Sequence, residues 1–176
     1  DTWSRELEKW DHLQHLRISK ILGSADHRRK ALRADADLYV INRENVEWLV
    51  SELGSEWDFD MVIIDESSSF KNHRSKRFRA LRRVRPMIER VVELTGTPAP
   101  NSLMDLWAQI YLLDQGERLG KTITGFRDRY FIPGARSGHV VYDWKAKQEA
   151  EKQIYEAIGD IVVSMKAEDW LELPEM

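Results

Sequence analysis

No cysteine occurs anywhere in the chain, which excludes disulfide bonds and thiolate metal sites and makes the cytoplasm the expected compartment. No apolar run approaches the roughly 20 residues that a membrane-spanning helix needs, so no membrane partner is expected. The N-terminus, DTWSRELEKW, lacks the basic-then-apolar pattern of a secretory leader. Internal repeats and low-complexity segments are also missing. Acidic residues are absent from 71–85, KNHRSKRFRALRRVR, which holds eight Lys or Arg. Residues 142–176 reverse the balance with nine acids against four Lys, so the formal charge of −3 hides a chain polarised along its length.

What is present is 176 residues, 42% apolar and 32% charged, enough for one globular domain with a sizeable core. Trp3, Leu7 and Trp10 recur at helical spacing and predict an amphipathic helix over 2–15. Strands are expected at 17–22, 37–42, 61–66 and 90–96, separated by helices at 25–34, 44–53 and 74–84. Gly23 closes the first strand, Ser24 can cap the helix after it, and Gly54 stops the helix over 44–53. An amphipathic helix over 102–113 follows, then a long loop over 132–142, a charged helix near 145–158 and a short apolar stretch over 160–165. Strands alternating with helices imply a parallel sheet with flanking helices. The third strand, Met61-Val62-Ile63-Ile64, is apolar without alternation, as a parallel strand covered on both faces would be.

That apolar run leads straight into Asp65-Glu66. Buried charge is costly unless paired, hydrogen-bonded or bound to a metal, and ligands in parallel sheets bind beyond the carboxyl ends of the strands. Adjacent carboxylates there can divide one reaction, one holding Mg²⁺ through waters and the other orienting or deprotonating an attacking water. The competing explanation is a strand that ends in a polar turn, with Ser67 to Ser69 capping the next helix. A second stretch, LTGTPAPNS at 94–102, closes the next strand at the same edge. Its Thr95 and Thr97 flank Gly96, whose freedom at positive φ allows a tight turn, and Asn101 or Ser102 can cap the following helix.

In this order the two stretches resemble the SWI/SNF-type (sucrose-non-fermenting) branch of the DEAD/DEAH-box helicase superfamily. DESSSFKN at 65–72 looks like that family's Walker B motif with its Lys-Asn extension, and LTGTPAPNS looks like its motif III. SLMDLWAQIYLL at 102–113 and FRDRYF at 126–131 match the segments that follow, while WSRELEKW and DLYVINRENV match segments before Walker B. Ser67 and Ser68 stand where Ala-His is usual, which is reminiscent of bacterial and phage members. The resemblance implies a partial RecA-like α/β fold in which residues 1–131 are the latter part of the first lobe. Residues 132–176 would then form a loop, a charged helix and the start of the connection to a second lobe. It implies an ATP hydrolase with Mg²⁺ that translocates on double-stranded DNA. Asp65 would hold Mg²⁺ through water, Glu66 would activate the hydrolytic water, and Thr95, Gly96 and Thr97 would couple nucleotide state to DNA contact. An RNA helicase of the same superfamily, or an interaction module without turnover, are the alternatives.

A phosphate-binding loop needs Gly-x-x-x-x-Gly-Lys-Thr/Ser after a strand. The chain's Gly120-Lys121-Thr122 has Gln115 where the first Gly should stand and no strand before it. The loop is therefore expected upstream of Asp1 and the second lobe downstream of Met176, and the chain by itself is expected to be inactive. Ser68-Ser69-Phe70-Lys71 fits the Ser-x-x-Lys of penicillin-binding enzymes but has no Lys-Thr-Gly companion. His12 and His15 lack the Glu that a zinc-protease helix places between its histidines. The basic run reads equally as a solvated helix face or as a contact with nucleic-acid phosphates or the second lobe through Lys71, Arg74, Lys76 and Arg77.

Overall fold

The computed structural model describes residues 2–96, 102–137 and 140–165. The chain divides into two compact units, residues 1–57 and 58–176.

The first unit contains α1 (Thr2–Lys9), β1 (Ile18–Ile21), α2 (Ala25–Leu32), β2 (Leu38–Ile41) and α3 (Val46–Leu53). The predicted first helix is shorter than its apolar spacing suggests. Trp10 is extended, at φ −104° and ψ 114°, and a separate 3₁₀ turn follows at Asp11–Leu13. Strands β1 and β2 pair in parallel, from Ile18 opposite Leu38 to Ile21 opposite Ile41. Ser24 caps α2 by accepting from the His27 N–H, and Gly54 ends α3 at φ +51°, both as the sequence predicts. Arg17 clasps the start of the sheet by donating from Nε and Nη2 to the Asp37 carboxylate, each at 3.0 Å.

The second unit contains β3 (Met61–Asp65), α4 (Lys76–Val84), β4 (Arg90–Leu94), α5 (Leu106–Asp114) and α6 (Ile123–Tyr130). Strands β3 and β4 are parallel and in register from Met61 opposite Arg90 to Asp65 opposite Leu94. Ser75 caps α4 by accepting from Phe78 N–H. The apolar stripe of that helix, Phe78, Leu81 and Val84, is buried with Trp107, Ile110 and Leu112 of α5 in a core extended by Phe126 and Tyr130.

The apolar run of β3 is not covered on both faces. Ile64 is buried, yet Met61 and Ile63 are 45% and 38% exposed, and Leu94 on β4 is 44% exposed. Side chains alternate across a strand, and among the described residues of this unit helices cover one face only.

The segment predicted as a long loop is built from short antiparallel ribbons: β5 (Phe131–Pro133) pairs with β8 (Trp144–Ala146), and β6 (Arg136–Ser137) with β7 (Val140–Val141). The charged helix therefore starts later than predicted, as α7 (Ala150–Ile158). The stretch 160–165 forms no regular element, and Val163 and Met165 are exposed. No helix among the described residues is long and apolar enough to cross a membrane.

Candidate active site

Strand β3 delivers Asp65 and Glu66 to the carboxyl end of the β3–β4 pair. Parallel register sets Asp65 opposite Leu94, so Thr95 and Gly96 leave the neighbouring strand at the same edge. Thr97, with residues 98–101, lies outside the described residues.

Asp65 is exposed, and among the described residues its carboxylate has no hydrogen-bond or ion partner. Glu66 adopts the left-handed conformation, φ 54° and ψ 54°. A non-glycine residue held there costs on the order of 1–3 kcal/mol and marks places where the fold fixes a side chain against local preference. The bend ends the strand and starts the 3₁₀ turn Ser67–Phe70.

Ser67 does not cap a helix, as the polar-turn explanation requires. It is 0% exposed and donates from Oγ to Gln109 Oε1 of α5 at 3.0 Å. Gln109 in turn donates from Nε2 to Asp105 O at 3.0 Å. Phe70 is also buried beneath the turn, and Lys71 reaches Asp105 at 3.6 Å. The turn that carries the carboxylates is thus anchored to α5 by one buried hydrogen bond and one half-buried ion pair.

Glu93 completes this polar cluster. It lies on β4 opposite Ile64, hydrogen-bonds Ser67, and keeps Oε1 buried without a partner among the described residues. Burial pushes its carboxyl up to about 8. The Ser67 contact favours the carboxylate form and opposes that rise without cancelling it. A charge inside the otherwise apolar run Val91-Val92-Glu93-Leu94 is the sequence feature that betrays this residue.

The basic run resolves into unlike parts. Lys71 is paired with Asp105. Arg74 and Lys76 are exposed and Arg77 is half-buried. Arg82 lies over the Tyr111 ring at 4.5 Å. Arg85 is buried and donates to Ile88 O at 2.7 Å, to Leu113 O at 2.6 Å and to Leu112 O. It therefore satisfies carbonyls at the C-terminal end of α5, which a helix leaves without internal donors. Neither reading of the basic run anticipates this structural role.

Gly120-Lys121-Thr122 is a helix entry. Gly120 has φ +97°, its carbonyl accepts from Trp107 Nε1 at 3.0 Å, and Thr122 Oγ1 caps α6 by accepting from Gly125 N–H. His12 and His15 are exposed.

The donor set at the strand ends suits a hard cation that keeps most of its waters and uses few protein carboxylates. One unpaired carboxylate, Asp65, is available, with a second carboxylate beside it. Among the described residues no group of three His, Asp or Glu is gathered into a closed metal site.

The architecture is that of a RecA-like ATPase core. The structure aligns with the Sulfolobus solfataricus SWI2/SNF2 ATPase core solved in complex with dsDNA, at a TM-score of 0.58 and 26% identity, over 73% of this chain and 25% of that one. The sequence matches the SNF2-related domain over residues 1–165, and the chain belongs to that family. Among its relatives, a putative protein p41 of Acyrthosiphon pisum secondary endosymbiont phage 1 is 39% identical over 99% of this chain and 39% of its own length. The human DNA annealing helicase and endonuclease ZRANB3 is 27% identical over 98% of this chain and 16% of its own length. The bovine DNA excision repair protein ERCC-6-like is 32% identical over 77% of this chain and 11% of its own length. The chain thus spans well under half the length of these curated relatives.

Proposed function

We propose that this chain is the Walker B and motif III part of an ATP-driven translocase on double-stranded DNA. Residues 1–131 belong to its first RecA-like lobe, and 132–176 lead toward the second. The observation that carries the reading is Glu66, held in a left-handed conformation at the end of β3 next to Asp65 and level with Thr95-Gly96. A strand end of this kind is where parallel sheets place ligands, and strain fixed there is a mark of a functional side chain. The relatives' names, and the duplex bound by the similar ATPase core, support DNA as the polymer.

In this mechanism Asp65 would hold Mg²⁺. Glu66 orients a water and accepts its proton as it attacks. Mg²⁺ bound with ATP supplies charge neutralisation on the phosphates. Thr95 and Thr97 relay a change at the nucleotide to the elements that meet DNA. Ser67 and Gln109 hold the turn so that the Glu66 backbone keeps its bend.

The Gly-Lys-Thr of this chain serves as a helix cap rather than a phosphate loop, and phosphoryl transfer depends on several groups acting together. Residues 1–176 alone are accordingly proposed to bind ATP feebly and not to turn it over. Steady-state ATPase assays on the complete parent protein, with and without duplex DNA, test the reading. Duplex-stimulated turnover lost in Glu66→Gln supports it, whereas stimulation by RNA alone, or no turnover, refutes it. Saturable ATPase activity in residues 1–176, lost in Glu66→Gln, would refute the placement of the nucleotide.

A further inference from the structure

A second polar feature lies apart from the carboxylates. An open cleft of about 630 Å³ is lined by Asn72, His73, Arg74, Arg127, Tyr142 and Trp144, with Val141 at its wall. Its cations come from the turn before α4 and from α6, and its rings come from the residues around β8. No Asp or Glu lines it.

Several other arginines of the described structure hold acceptors, although Arg28 Nε, like Arg127 Nε, is buried without one. Arg17 holds Asp37, Arg29 holds Glu52, Arg118 holds Asp160, and Arg85 holds three carbonyls. Arg74 and Arg127 hold no carboxylate among the described residues, and Arg127 Nε is buried without an acceptor. Among the described residues, the charged groups that act on His73 and Arg127 are arginines. Burial, then Arg127 and Arg74, push the His73 imidazolium down, and burial, then Arg74, push the Arg127 guanidinium down. Gathering like charges around a desolvated donor opposes folding, and a bound anion would offset that repulsion.

The geometry points to a phosphate-binding site for a polynucleotide backbone, in which Arg74 and Arg127 take one phosphodiester group with His73 and Asn72 beside them. The inference rests on the proposal that the protein works on DNA, and it assigns residues that the carboxylate site does not use. Planar guanidinium forks match phosphate oxygens better than a point charge does. The rings favour a polymer over a free anion: Arg127 lies over the Trp144 ring at 5.2 Å, and Tyr142 is 71% exposed at the rim. Aromatic faces beside the cations offer a neighbouring sugar a surface to pack on, which a free anion would not use.

The test uses the 176-residue chain and a fluorescein-labelled 20-base-pair duplex, with anisotropy followed from 25 to 200 mM salt. Inorganic phosphate is titrated separately while the Arg127 Nε–H proton signal is followed by NMR. Arg74→Gln and Arg127→Gln are each expected to weaken duplex binding by about tenfold and to lower the salt slope by about one. Arg90→Gln, at the opposite end of β4, should leave the slope unchanged. If Arg127→Gln fails to fold by circular dichroism, exposed Arg74 carries the test. Duplex binding with unaltered slope in both variants overturns the site and leaves the translocase reading standing. No duplex binding, with an Arg127 signal that moves with phosphate, overturns the polymer and leaves a free-phosphate site. No response to either overturns the inference entirely.

Discussion

Replacing Glu93 by Gln keeps the size of the side chain and removes its titration, so it isolates what a buried carboxyl costs the second unit. In the folded chain burial raises this group from 4.5 to about 8. The folded state therefore holds the proton more tightly than the unfolded one, and stability falls as pH rises between those values. Below about pH 4.5 both states are protonated and the term vanishes; above about 8 it levels off. Each pKa unit is worth about 1.4 kcal/mol. Between 4.5 and pH 7 the native acid thus accumulates a cost of roughly 3 kcal/mol. His73, pushed below its ordinary value by burial and its arginine neighbours, contributes with the opposite sign, losing stability as pH falls below about 6.5. Comparing wild type with Glu93→Gln at each pH cancels that contribution. Urea unfolding at pH 5, 6, 7 and 8 is expected to show the variant gaining progressively on the wild type. Stability differences that stay constant from pH 5 to 8 would refute a buried, proton-retaining Glu93.

In the intact parent protein, Glu66→Gln should lower kcat by at least about a hundredfold with nucleotide binding retained, read by steady-state hydrolysis and a fluorescent nucleotide; unchanged kcat would remove Glu66 from the reaction. Arg85→Met leaves the carbonyls of Leu112, Leu113 and Ile88 without their donor and should destabilise by about 2–5 kcal/mol in urea unfolding. Arg85→Lys should recover only part of that loss, because an ammonium cannot span the same fork. Asp37, held by Arg17 at about 2 against an ordinary 3.8, should contribute stability above about pH 4 that is lost as pH falls toward 2. Acid unfolding of Asp37→Asn should show a flatter profile there, and added salt should narrow the difference because the pair is exposed.

Much of the fold is written locally. The glycines and serines that end and begin elements act through their own backbone, so Gly23, Ser24 and Gly54 mark boundaries without knowledge of the rest of the chain. The Ser75 cap, by contrast, goes unread, and the helix after it is expected from 74. The run Met61–Ile64 declares a parallel strand for the same reason, although alternation rather than the run itself decides which of its residues are covered. Residues 131–146 were opaque because Pro133, Gly134 and Ser137 carry the same punctuation in a hairpin as in a loop. What makes ribbons of them is the pairing of Phe131–Pro133 with Trp144–Ala146, a contact made across a dozen residues. At the candidate site, Asp65 and Glu66 announce themselves by following an apolar strand. Ser67 looks like a cap because its real partner, Gln109, stands 42 residues away. Arg127 and Trp144 carry no local mark at all, since only folding brings them beside Arg74.

The cations between Lys71 and Arg85, uniform as text, answer to separate physical demands. Arg85 serves three carbonyls through one planar fork, a geometry that an ammonium cannot reproduce. Arg82 needs only a cation above the Tyr111 ring, and Lys fills that role. Lys71 can change if Asp105 changes with it. Exposed Arg79 and Arg83 are free to exchange with any soluble helix former. The run is therefore a set of separate physical tasks that share a charge, and replacing one of its cations tests one task without disturbing the others.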